Sequence, residues 1–413
     1  MMAHWTSLIQ QKIRTKILLL KHPACRQKSE DRNMNIFAFS LAKNHQAIAI
    51  TLLGAIAISG CSGQNRSVQE VSQNSSPQPK SQNDLSFNNI TLEQADEQGR
   101  PLWSVKGKQA TYSREQKVAQ VQNPSGELFQ DGKVVYKVSA QQGEVRQDGK
   151  SLFLKGQIVA ADPINGVVLR GNEVEWRPQE DLLLVRDRIT GNYRQVQAVA
   201  QEARVSSRTA KIELLGKVVA QATDPALQMR SEHLTWYVKQ QKLIGDRPIA
   251  IDRYQGKTIS DRATANGAEV NLNTKIATLQ PQAQLISSQP PLQVNSNSLS
   301  WNLNAQTVTT NQPIKVVHRQ QQVTLNAKQG RMDLNKEIVY LTGNVNAIGQ
   351  RRQSLNSQNL TWYVPTQLVE ATGNVVYNQI DPPASFTGQK AVGKLQEQNV
   401  VVSGGTVVTK IVP

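Results

Sequence analysis

The sequence predicts an all-β protein whose repeated strand units stack their apolar faces into one elongated core. Three observations predict it. First, four segments superpose: Glu173-Val174-Glu175-Trp176, His233-Leu234-Thr235-Trp236, Ser298-Leu299-Ser300-Trp301 and Asn359-Leu360-Thr361-Trp362. Their tryptophans stand 60, 65 and 61 residues apart. In each, the aliphatic residue and the Trp share one strand face while the residue between them points the other way. Second, a unit with period-two apolar spacing broken by glycine precedes these segments: Leu152-x-Leu154-x-Gly156-x-Ile158, Ile212-x-Leu214-x-Gly216-x-Val218 and Val339-x-Leu341-x-Gly343-x-Val345. Ala277-x-Leu279-x-Pro281-x-Ala283 is a degenerate copy with Pro in place of Gly. Glycine inside such a pattern marks a bent or bulged strand that turns a corner. Third, turn dipeptides punctuate the chain every ten to fifteen residues or so, and no helical period of comparable length appears from residue 86 onward.

The composition narrows the function. The 413 residues are 38% apolar and carry 47 Lys and Arg against 31 Asp and Glu, a net charge of +16. Mean hydropathy is −0.46, too polar for a multi-span helical membrane protein. Cys25 and Cys61 are the only cysteines and histidines number five, so neither a zinc framework nor a disulfide scaffold is expected. The basic excess is spread without a dense block, which gives nucleic-acid binding little support. It suits an anionic glycolipid or envelope polymer, or simply a solvated basic face.

The front of the chain reads as an address. A 13-residue uncharged stretch, Ala47 to Ser59, follows Lys43 and His45 and precedes Cys61. As a helix it would reach about 20 Å, short of the ~30 Å hydrocarbon core. Ile58-Ser59-Gly60-Cys61 resembles a bacterial lipobox, which implies that the Cys61 thiol is acylated and begins the mature chain. The basic residues before Met34 are expected to reflect a start at Met34, or else a functional basic arm. Residues 1–60 are therefore read as an N-terminal extension and lipoprotein signal peptide. Residues 61–85 are read as the lipidated Cys and a flexible Ser, Gln, Asn and Pro tether. The expected compartment is the periplasm, lipid-anchored to a membrane and to the inner one in preference.

Asp96-Glu97-Gln98-Gly99-Arg100-Pro101-Leu102-Trp103 resembles the opening strand of the LptC family, the periplasmic component of lipopolysaccharide export. Ser139-Ala140-Gln141-Gln142-Gly143-Glu144-Val145, running into Leu152 to Ile158, is similar to that family's core pattern. Ala327-Lys328-Gln329-Gly330, running into Val339 to Val345, is similar to the related LptA and OstA repeats. The resemblance implies an elongated open β-jellyroll, LptC-like over 86–255 and LptA/OstA-like over 256–413. It also implies a carrier that shields lipid acyl chains between an inner-membrane ABC transporter and the outer membrane. Partners would be lipopolysaccharide or a related glycolipid, the transporter components, and other jellyrolls joined edge to edge. The chain is longer than a typical member and carries a lipoprotein signal where such a member has a transmembrane helix.

Candidate groove residues are Leu152, Leu154, Ile158, Trp176, Leu214, Val218, Trp236, Trp301, Leu341, Val345 and Trp362; each taken singly reads first as sealed core, and only an unclosed sheet stack would make them a lipid groove. No cofactor and no metal is expected, and no catalytic residue is assigned. His233 and His318 lie outside any nucleophile motif, and the pairs Glu173/Glu175 and Glu180/Asp181 read as solvated strand faces and turns. A structural or glycan-binding β-solenoid surface lipoprotein is the alternative function. The terminal strands, residues 397–403 and 406–412, are separated by Gly404-Gly405 and read either as an exposed pair for strand addition, which the family resemblance favours, or as strands that fold back and complete the protein's own sheet.

Overall fold

The computed structural model describes residues 84–411 apart from 147, 395, 396, 398 and 407. The signal segment, Cys61 and most of the tether lie outside the described residues. From Asp84 on the chain is thirty strands in one antiparallel hydrogen-bonded sheet, with a single 3-10 turn, Pro178–Glu180, among the described residues. No helix of these residues is long and apolar enough to cross a membrane.

The sheet folds into two facing layers because its long strands bend. In Leu152–Ala161, Leu152 and Leu154 point inward, the register slips between Lys155 and Ile158, and Ile158 and Ala160 point inward again. The same slip occurs between Leu215 and Val218, and between Thr342 and Val345. These are the glycines that the sequence marked as corners. A further copy, Val369-x-Ala371-x-Gly373-x-Val375, bends the same way with a slip between Thr372 and Val375. Sequence reading passed over it because Ala371 stands where the other copies have Leu.

Where the glycine is replaced by Pro281, the strand does not bend but breaks. Ile276–Leu279 and Ala283–Ser287 are separate strands in separate layers. Proline cannot donate to a ladder and interrupts it. From Lys242–Gly245 to Gln329–Asp333 every strand is short and belongs to one layer only. On both sides of that stretch, long bent strands cross between layers. The boundary expected at 255/256 falls in the hairpin joining Ile249–Gln255 to Thr258–Ala265.

One lateral side of the stack is thus stitched by bent strands and short links, while the other carries the turns of both layers, and no strand pairing among the described residues joins the layers there. That second side is the mouth. In this hydrogen-bond sense the two layers are not closed into a barrel. The layer holding Trp176, Trp236, Trp301 and Trp362 places successive tryptophans four strands apart, about 19 Å at the usual strand spacing. The repeat of some 60 residues is therefore four rungs of both layers.

The first strand, Asp84–Ala95, pairs on one side only, with Pro101–Ser113. At the other end Asn399–Ser403 and Val408–Ile411 both pair with Ala384–Lys394, through its two halves. They are not a hairpin with each other. The Gly404-Gly405 step carries the chain from one layer to the other, so each layer ends in its own edge strand.

Candidate functional site

All eleven groove candidates face the space between the layers and belong to one continuous apolar core. Leu152, Leu154, Ile158, Val218, Leu341 and Val345 are no more than 1% exposed and Leu214 is 5% exposed. Trp176, Trp301 and Trp362 are at most 1% exposed and Trp236 8%. Leu152 pairs with Trp176 in the mouth row, and the other aliphatic candidates line the layer middles and bends. The tryptophans sit one residue from the mouth end of their strands.

Each of three tryptophans meets a ring from the opposite layer at the mouth. Trp176 lies edge-on to Tyr136 at 6.2 Å between centroids, and Trp236 edge-on to Tyr193 at 4.9 Å. Trp362 is tilted against His318 at 5.8 Å. Such contacts add about 0.5–1.5 kcal/mol each to the area they bury. Polar ties reinforce the seam. Trp176 Nε1 donates to the Leu102 carbonyl at 3.1 Å, and Gln241 Nε2 donates to the Tyr193 hydroxyl at 3.1 Å. Arg208 holds both oxygens of Asp131 at 3.0 and 2.9 Å. That hydrogen-bonded pair draws the Asp131 carboxyl down to about 2. Behind the seam, the space beside Tyr136, Val205 and Ile212 is only ≈ 10 Å³, room for one water at most. A hollow of ≈ 590 Å³ bordered by Lys217, Arg230, Glu232 and Gln282 lies along the bends instead.

The seam partners Tyr136, Tyr193 and His318 were missed in the sequence, although a signal existed. Tyr193, Arg253 and His318 are spaced 60 and 65 residues apart, the same two intervals as the first three repeat tryptophans. Residue type changes at each copy, so a search for matching letters passes over them.

Two of the four carboxylates, Glu175 and Asp181, are buried and held by neighbours, while Glu173 and Glu180 are exposed as expected. Glu175 is not a solvated strand residue: it is 6% exposed and clasped by Arg177 at 2.6 Å and Arg186 at 3.4 Å. Asp181 adopts a left-handed conformation after the 3-10 turn and accepts hydrogen bonds from Ser206, Ser207 and Arg208. His233 Nδ1 lies 2.8 Å from Asp246. No group of three or more metal-ligating side chains occurs among the described residues.

Burial holds the His318 imidazole below the usual histidine range. The unfolded chain therefore takes up a proton near pH 6.5 that the folded chain refuses. The stability tied to His318 is fully present above about pH 6.5 and is lost progressively as the pH falls toward the lowered folded value. Wild type is expected to lose more melting temperature between pH 7.5 and 5.5 than His318→Tyr, which copies the residue at Tyr193. Equal losses in the two proteins would show that His318 does not titrate in this way.

A continuous apolar interior, bent at glycines and repeating every four strands, is the architecture that the resemblance implied, although Asp96 to Trp103 forms the turn and start of the second strand rather than an opening strand. The family model described as Lipopolysaccharide-assembly, LptC-related, matches residues 49–167, 168–286 and 317–409. The chain belongs to the LptC-related family. Three successive matches show the LptC-related unit repeated along one chain, and the stretch between the second and third contains Trp301. A search of curated proteins gives no match. Membership gives the chain a role in lipopolysaccharide transport and a place in the cell envelope, within a family of transport components.

Proposed function

We propose that this protein is a non-enzymatic carrier and bridge for lipopolysaccharide. In this reading acyl chains travel between the two layers while the sugars remain outside the mouth. The observation that carries the reading is the mouth itself. It is closed by rings and a few polar ties rather than by strand pairing, so parting it breaks no ladder hydrogen bond. An acylated lipid exposes hundreds of Å² of apolar surface at about 25 cal/mol per Å², and the repeated interior offers a series of near-equal places to bury it. Leu152, Leu154, Ile158, Leu214, Val218, Leu341 and Val345 would contact chain methylenes, and the four repeat tryptophans would line the entry. Net direction would come from the inner-membrane ABC transporter. A photo-crosslinking residue at Leu341 tests the reading in cells: it should label lipopolysaccharide. Labelling of protein alone would favour a structural or glycan-binding envelope role.

The anchor and the bridge belong to the same reading. Cys61 would carry the acyl groups that hold the chain at the membrane, inner in preference to outer. Cys61→Ala is expected to move the protein from the membrane fraction to the soluble periplasm; retention in membranes would remove the anchor from the reading. At the far end, Asn399–Ser403 presents one unpaired edge, with Val401 65% exposed. Exposed edges are blunted in most proteins or used for strand addition. A photo-crosslinker at Val401 is expected to capture another jellyroll of the export machinery. Only intramolecular products there would make these strands a cap.

A further inference from the structure

The aromatic seam is interrupted once, and by charge. Tyr193, Arg253 and His318 are the same position in consecutive repeats. Each is the second inward residue after Ile189, Ile249 and Ile314 respectively, on strands of the layer opposite the tryptophans. Tyr193 lies against Trp236 and His318 against Trp362, so repeat equivalence sets Arg253 level with Trp301. The residues paired across the next strand are Val196, Asp261 and Val323. The strand after that adds Ala222 in one repeat and Ser287 in the next. Thus one repeat turns Tyr, Val and Ala toward the interior where its neighbour turns Arg, Asp and Ser.

Asp261 and Ser287 are buried, and Arg253 nearly so. The Asp261 side chain is 0% exposed and that of Arg253 15%; Ser287 is 3% exposed. Arg253 Nε donates to Asp261 Oδ2 at 2.7 Å, and Ser260 Oγ donates to the same oxygen at 2.8 Å. Asp261 Oδ1 is buried with no partner, and so is Trp301 Nε1. A buried ion pair in an otherwise apolar seam costs desolvation that a Tyr and Val pair would not. An acceptor left empty beside it adds to that cost. Stability alone does not account for this substitution within the repeat.

We propose that Asp261, Arg253 and Trp301 form a recognition station for a hydroxyl group on the head of an amphiphile whose chains lie between the layers. A hydroxyl both donates and accepts. It would give its proton to Asp261 Oδ1 and receive that of Trp301 Nε1, completing both orphaned groups at once. The ligand class is a polyhydroxylated headgroup, such as a sugar, and the station supplies selectivity that the apolar interior lacks. This inference rests on the reading of the interior as an acyl-chain site.

The test compares two dodecyl amphiphiles below their micelle concentrations by equilibrium dialysis against the full chain. Dodecyl maltoside carries hydroxyls, and dodecyldimethylamine oxide carries none. Wild type should prefer the maltoside, and the double variant Arg253→Tyr with Asp261→Val should reduce that preference roughly tenfold, the scale of one charge-assisted hydrogen bond. Its amine oxide affinity should stay unchanged. The variant restores the residues of the preceding repeat, so it should melt at or above the wild-type temperature. Trp301→Phe, which removes only the donor and keeps an aromatic ring, should lose part of the preference and provides the check if the double variant misfolds. An unchanged preference in the folded variants overturns the station while leaving the acyl-chain site standing. Failure of wild type to bind either amphiphile overturns the acyl-chain reading and the station with it.

Discussion

Trp362→Ala is expected to lower the unfolding free energy by about 3 to 5 kcal/mol, the range for deleting a large aromatic from a sealed core. The side chain is 1% exposed and lies between inward Val339 and Val369 on the neighbouring strands. It also supplies one half of the seam against His318. Removing it opens a cavity at the mouth and strands the His318 ring without its partner. In a repeat ladder each unit leans on its neighbours, so the loss should appear first as an early transition of the C-terminal rungs. Urea unfolding followed by fluorescence of the remaining tryptophans would record it. Trp236→Ala should fall at the lower end of the range, because Trp236 is 8% exposed and its Nε1 has no partner to lose. A cost below about 1 kcal/mol at Trp362 would mean that the mouth there is not packed shut.

The elements legible in the sequence are those fixed within a single strand. Alternation of Leu234 with Trp236, or of Leu360 with Trp362, is imposed by the pleat and needs no knowledge of the partner strand. The bends were legible for the same reason, since Leu-x-Leu-x-Gly-x-Val carries both the inward face and its reversal. Contacts between layers were not legible. Tyr193 reaches Trp236 across 43 residues, and its counterparts are Arg253 and His318, so neither distance nor residue type announces the seam. The last two strands were read as one exposed pair because only Gly404-Gly405 separates them. In a stack whose strands each serve two layers, two glycines in the left-handed region, at φ 78 and 70, change layer instead of reversing direction.

Glu175 illustrates a second limit. Its strand position is outward, and outward glutamates are ordinarily solvated. Arg177 on its own strand and Arg186 on the next fold over it, and those long apolar stems cover the carboxylate. Alternation predicts the face of a side chain, whereas burial depends on what neighbouring side chains lay across it.

The bends set how far apart the two layers stand, and Gly343→Val is expected to show this with a cost of about 2 to 3 kcal/mol. Gly343 has φ +84 and is followed by Asn344 at φ 48, so two successive residues occupy the left-handed region. That region costs an L-residue about 1–2 kcal/mol, and a β-branched side chain is the least tolerated there. A Cβ at Gly343 would also stand 3.0 Å from the Lys328 Cβ on the adjoining strand link, a contact that must be relieved by shifting the link. The strain sits outside the interior, since the inward residues on both sides, Leu341 and Val345, are untouched. If the angle between the layers governs passage through the mouth, Gly343→Val should reduce crosslinking of lipopolysaccharide at Leu341 more than an equally destabilising change on an outward face. Gly343→Asn, which tolerates the left-handed region better, should recover most of the stability and the crosslink together. Loss of stability without loss of the crosslink would leave the bend as a purely structural corner.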